Sequence, residues 1–104
     1  MKVIIIEDEI PAANRLEKLL HNYNDDIEII HKADSIESSV RYLGTAQNID
    51  LIFMDIQLAD GLSFDIFEKV KISTPVIFTT AFDQYTLKAF KVNSIDYLLK
   101  PIDE

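Results

Sequence analysis

Four short apolar runs, far apart in the chain, each end in polar residues with chemistry to offer. Val3-Ile4-Ile5-Ile6 leads into Glu7-Asp8-Glu9, and Leu51-Ile52-Phe53-Met54 into Asp55. Val76-Ile77-Phe78 leads into Thr79-Thr80, and Tyr97-Leu98-Leu99 into Lys100-Pro101. Apolar runs of this length read as strands buried on both faces, which is the habit of parallel sheets. In an open parallel sheet the strand C-termini line one edge, and ligands bind there. If the four runs are parallel strands, the acids, a hydroxyl and a lysine meet in one place.

The segments between the runs fit that reading. Pro11 suits the first turn of a helix, and Leu16, Leu19 and Leu20 carry it over roughly 11–23 until Asn24-Asp25-Asp26 breaks it. Ile27 to His31 alternates partly, as a strand near the sheet edge does. Asp34 or Ser35 caps a helix running to Leu43, with Gly44 ending it. Residues 50–54 form the next strand, and Gly61 sits in the loop after it. Leu62, Ile66, Phe67 and Val70 make a helical stripe. Thr74-Pro75 opens a strand at 76–79, Leu87 and Phe90 mark a helix over 84–91, and Ile95 to Leu99 is the last strand. Alternating strands and helices predict an α/β fold with a parallel sheet and right-handed crossovers. No helix follows the fifth strand in residues 1–104, so the expectation is one domain truncated before its last helix, with no DNA-binding domain in these residues.

Composition narrows the options further. A chain of 104 residues holds one domain, and a hydrophobic fraction of 48% is enough for a packed core. The net charge of −8 argues against a broad basic face for nucleic acid. The absence of cysteine excludes disulfides and thiolate metal sites. The N-terminal apolar run is too short for a signal peptide or a membrane span, so a cytoplasmic protein with no membrane partner is expected.

Glu7, Asp8 and Asp55 would place three carboxylates in one cleft. Like charges that close repel, and a hard divalent cation relieves them; Mg²⁺ prefers a few carboxylates with retained waters. The backbone carbonyl of Gln57 would complete the metal shell. Asp55 is the best nucleophile, because a carboxylate attacks phosphorus to give an acyl phosphate. That transfer needs in-line positioning and neutralisation of the phosphoryl oxygens, to which Lys100 contributes a point charge and Thr80 a hydroxyl. Singly, each residue has a plainer explanation: an Asp after a strand is usually a turn residue. Gathered at four strand ends, they read as a site. His21 and His31 are isolated and read as structural.

The segments Ile6-Glu7-Asp8-Glu9, Met54-Asp55-Ile56-Gln57, Thr79-Thr80-Ala81 and Leu99-Lys100-Pro101 together resemble the signature of response-regulator receiver domains. The resemblance runs from the first strand through the fifth. It implies a flavodoxin-like doubly wound sheet of five parallel strands in the order 2-1-3-4-5. It implies that Asp55 is the phosphoacceptor for a sensor histidine kinase, that Asp8 binds Mg²⁺ (or Mn²⁺) directly, and that Glu7 does so through water. Thr80 and Lys100 would contact the phosphoryl group, Tyr97 would be the switch aromatic moving with Thr80, and Lys100-Pro101 a cis peptide bond. Homodimerisation on phosphorylation would follow as part of the same switch. The wording Asp55-Ile56-Gln57-Leu58, the short loop Ala59-Asp60-Gly61, Phe78-Thr79-Thr80-Ala81-Phe82 and the stretch from Ala89 to Leu99 resemble LytTR-type regulators. In those a DNA-binding domain follows the receiver, which implies a transcriptional output through a domain beyond these residues. Two departures stand out. Glu7 replaces the commoner Asp, and the loop after Asp55 lacks the usual Pro and is shorter than in many receivers. Separately, Phe82 offers no hydrogen bond to a hydrolytic water, so slow autodephosphorylation is expected.

Other functions fit less well. An aspartyl-phosphate phosphatase of the haloacid-dehalogenase-like class would need an acid two residues after its nucleophile, where Gln57 stands. A flavin-binding domain would need a phosphate-cradling loop after the first strand, and Glu7-Asp8-Glu9-Ile10-Pro11 is acidic and lacks glycine. A stand-alone receiver in a phosphorelay fits the same residues, whereas retention of Asp55, Thr80 and Lys100 argues against a pseudo-receiver acting by contacts alone. The expectation is a signalling domain that catalyses its own phosphorylation, and not a turnover enzyme.

Overall fold

The computed structural model describes residues 1–45, 48–80 and 96–99. Strand β1 (Lys2–Ile6) is followed by α1 (Ile10–Tyr23), β2 (Glu28–Ala33) and α2 (Ile36–Leu43). Next come β3 (Leu51–Asp55), a two-residue pair β4 (Gln57–Leu58) and β5 (Gly61–Leu62), a 3₁₀ turn (Ser63–Asp65) and α3 (Ile66–Lys69). Strands β6 (Val76–Thr80) and β7 (Asp96–Leu99) complete the described elements. The five long strands pair in parallel in the order β2-β1-β3-β6-β7. This is the 2-1-3-4-5 order that the resemblance to receiver domains implied. The helix expected over 84–91 lies outside the described residues.

The central strands are buried on both faces, so two cores form. Ile4, Ile6, Ile52, Met54, Val76 and Phe78 point to one side, where Ile36 of α2 and Ile66 of α3 cover them. Val3, Ile5, Leu51 and Phe53 point to the other, under Ala13 and Leu16 of α1. The period-2 alternation of strand side chains makes this division automatic. Phe78 is fully buried with its ring tilted against Phe64 and Phe67, at centroid distances of 5.1 and 6.0 Å.

Local chemistry sets the element ends. α1 begins with Pro11 in its first turn and stops at Asn24, whose amide donates to the Leu20 carbonyl. The Asn24 side-chain oxygen accepts from the Asp26 amide at 2.8 Å, closing an Asx turn. Ser35, not Asp34, caps α2: its hydroxyl accepts from the Ser38 amide and the Ser38 hydroxyl accepts from the Ser35 amide, a reciprocal capping box. Gly44 ends α2 in an ordinary right-handed conformation. β2 starts one residue later than the apolar pattern and runs two residues further, to Ala33.

The apolar stripe from Leu62 to Val70 is not one helix. Leu62 lies in β5, the chain passes through the 3₁₀ turn, and only Ile66–Lys69 is α-helical, with Val70 already extended. Leu62 and Phe67 pack on the same core although they belong to different elements, which is why their spacing mimics a helix. No helix among the described residues is long and apolar enough to cross a membrane.

Candidate functional site

Register brings the acids together before any side chain is considered. Ile6 pairs with Met54 across β1 and β3, so Glu7 and Asp55 are the next residues on adjacent strands. Adjacent strands lie about 4.8 Å apart. Both residues continue the period of the α1-facing positions, Val3 and Ile5 on one strand and Leu51 and Phe53 on the other. Asp8 follows as the chain turns toward α1. One carboxylate oxygen from each of Glu7, Asp8 and Asp55 lies within 4.8 Å of the others. Glu7 and Asp55 are buried and Asp8 is half-buried.

Backbone contacts fix this edge. The Glu7 amide donates to the Ala33 carbonyl at 2.9 Å, extending the β1–β2 ladder one residue beyond β1. The Glu9 amide donates to Glu7 Oε2 at 3.2 Å, which holds that side chain over the start of α1. On the other side the Ile56 amide donates to the Thr79 carbonyl at 3.0 Å, and the Gln57 amide approaches Asp55 Oδ1 at 3.4 Å. The loop after Asp55 is thus tied both to β6 and to the carboxylate itself.

The donor set suits a hard cation. Two carboxylates at this spacing repel by on the order of 3 kcal/mol at an effective dielectric of about 20. Opposite ligands on Mg²⁺ stand about 4 Å apart, and the three acids lie close enough together to hold one ion. Gln57 lies on β4, two residues beyond Asp55, with its side chain exposed. Thr80 ends β6, and its backbone pairs with Leu99. Tyr97 lies on β7 opposite Phe78. Lys100, Pro101 and Phe82 lie outside the described residues.

A family model, the response regulator receiver domain, matches residues 3–104. The chain belongs to the response-regulator receiver family. Curated relatives agree: the sensory transduction protein LytT of Bacillus subtilis (strain 168) is 42% identical over 107 residues, covering 100% of this chain and 44% of that protein. The sensory transduction protein LytR of Staphylococcus epidermidis is 41% identical, covering 100% of this chain and 42% of the relative. This receiver therefore spans less than half the length of these curated relatives. Among solved structures, the response regulatory domain of protein mrkE from Klebsiella pneumoniae superposes with a TM-score of 0.82 at 32% identity, over 99% of this chain and 85% of that one. A two-component response regulator from Clostridium difficile gives 0.83 at 27% identity, over 99% and 85%. The chain is thus a receiver domain of the two-component response-regulator kind, homologous to LytT and LytR.

One residue of this edge was not singled out from the sequence. Asp60, in the turn between β4 and β5, reaches α2: its Oδ1 and Oδ2 accept from the Ile36 amide at 2.9 and 3.1 Å, and Oδ2 from the Glu37 amide at 3.3 Å. The Ile36 amide holds the Asp60 carboxyl below the usual carboxylate range; partial desolvation opposes this and the Glu37 amide adds to it. Only the Asp60-Gly61 turn signal was available in the sequence. It marks a turn and says nothing about a helix 24 residues upstream.

Proposed function

We propose that this receiver accepts a phosphoryl group on Asp55 from a histidine kinase, in a reaction that requires Mg²⁺ (or Mn²⁺), and passes the change to an output domain. The observation that carries this reading is the convergence of the Glu7, Asp8 and Asp55 carboxylates within 4.8 Å at the carboxyl edge of the sheet. Asp8 and Asp55 would bind the cation directly, Glu7 through water, and the Gln57 carbonyl would add a backbone oxygen. When bound, the cation neutralises phosphoryl oxygens and so lowers the barrier to in-line transfer.

The protein's own part is positional. An Asp55 carboxylate oxygen attacks phosphorus and forms the O–P bond of an acyl phosphate, while the bond to the donor nitrogen or oxygen breaks and that atom keeps the electron pair. The Gln57 amide, already close to Asp55 Oδ1, orients the carboxylate. Thr80 and Lys100 would hydrogen-bond and pair with the new phosphoryl oxygens, and Tyr97 would respond to the shift of Thr80. The added charge of about −1.5 to −2 biases a two-state equilibrium. A cis Lys100-Pro101 bond belongs to the same reading. So does a transcriptional output through a LytTR DNA-binding domain beyond these residues, with homodimerisation on phosphorylation.

The test is intact mass after incubation with acetyl phosphate, with and without Mg²⁺, on the wild type and Asp55→Asn. The expected result is a gain of one phosphoryl group that needs both Mg²⁺ and Asp55. No gain in a folded wild-type sample would overturn the phosphoacceptor reading in favour of a receiver that works by contacts alone.

A further inference from the structure

The β4–β5 ribbon carries the Gln57 carbonyl and is seated on the core by buried Leu58 and partly buried Leu62. It contains two residue pairs, Gln57 with Leu62 and Leu58 with Gly61, and an isolated two-stranded ribbon is marginal in water. Its base is fixed by the Ser63 amide donating to the Ile56 carbonyl at 2.8 Å. Its tip is fixed from outside. Asp60 grips the first two amides of α2 with both carboxylate oxygens, and a Cβ built on Gly61 would come within 3.2 Å of Ile36 Cδ1. A charged acceptor on helix-terminal amides is a stronger bond than a neutral pair, and it lies at the favourable end of the helix dipole.

We propose that Asp60 is a positioning residue for the cation site, holding the ribbon against α2 so that the Gln57 carbonyl stays in place beside Asp55. The inference rests on the reading of Gln57 as a backbone ligand. Mg²⁺ tolerates little departure from octahedral geometry, so a ligand on a loosened ribbon binds it worse even though no ligand atom has been removed. Groups that orient metal ligands typically contribute about 10–100-fold in affinity; acting through a backbone, Asp60 belongs at the lower end.

The test compares Mg²⁺ affinity, measured by calorimetric titration with MgCl₂, in the wild type, Asp60→Ala, Asp60→Asn and Ser35→Ala. Ser35→Ala removes the other cap of α2, the bond from the Ser38 amide, and has no hydrogen bond to the ribbon. We expect Asp60→Ala to weaken Mg²⁺ binding about tenfold, Asp60→Asn to recover most of the loss because asparagine also accepts from helix amides, and Ser35→Ala to stay within about twofold. Amide chemical shifts of Gln57 and Leu58 should move in Asp60→Ala without added metal. Equal losses in Asp60→Ala and Ser35→Ala would overturn the proposal, since the effect would then be helix stability alone. Wild-type affinity in Asp60→Ala would also overturn it, while leaving the phosphoacceptor reading intact. A wild-type chain that binds no Mg²⁺ would overturn the reading of the site and this inference with it.

Discussion

Gly61 has φ of 141°, a conformation that side chains rarely adopt. A methyl group there would also press on Ile36 Cδ1 at 3.2 Å. Backbone strain of this kind costs about 1–3 kcal/mol per residue, and the contact adds to it. Gly61→Ala should lower the urea midpoint accordingly, with an unchanged denaturant slope; wild-type stability in this variant would mean the ribbon reshapes at no cost. At this scale the acids were readable because each follows an apolar run, so strand register alone delivers Glu7 beside Asp55. Asp60 was not readable, because its partners are backbone amides distant in sequence, and backbone amides leave no residue-type signal.

α2 is an eight-residue helix with two separate caps, Ser35 from its own chain end and Asp60 from the ribbon. Helices this short are marginal alone, so the caps matter. The Asp60 carboxyl titrates below its ordinary value of 3.8 when folded. A lowered folded pKa means its stabilisation is fully present above the unfolded value and is lost as pH falls through the folded one. The amide protection factors of Ile36 and Glu37 should therefore fall as the solution is acidified below about pH 4, and Asp60→Ala should remove that acid dependence. A fall at Ile36 of equal size in the variant would assign it to another group. The elements with long apolar runs, β1, β3 and β6, were legible from the sequence. The ribbon was not, because two-residue strands carry no period, and Leu62 lent its side chain to a core shared with α3, so the pattern read as one continuous helix.

Across the whole molecule, five parallel strands send their carboxyl ends to one edge while two cores stabilise the sheet from opposite faces. Three carboxylates gathered at that edge repel one another, and on the proposed reading a bound cation would relieve that repulsion. Mg²⁺ at about ten times its dissociation constant should stabilise the chain by about 1.4 kcal/mol, a Tm rise of roughly 5–10 °C for a domain of this size. Asp8→Asn should lose most of that rise in a thermal melt; retention of the full rise would place the ion elsewhere. The parallel α/β architecture was legible because strands and helices alternate, whereas the strand order came from the resemblance to receiver domains. At its other end α2 bears a second fastening: the Tyr42 ring lies flat on His31 of β2, with centroids 3.8 Å apart and planes 1° from parallel. Fastened to the ribbon at its start and to the edge strand near its finish, α2 is a strut and not a lever: a load on the ribbon is resisted there, so displacement at the acidic edge has to be taken up by other parts of the molecule.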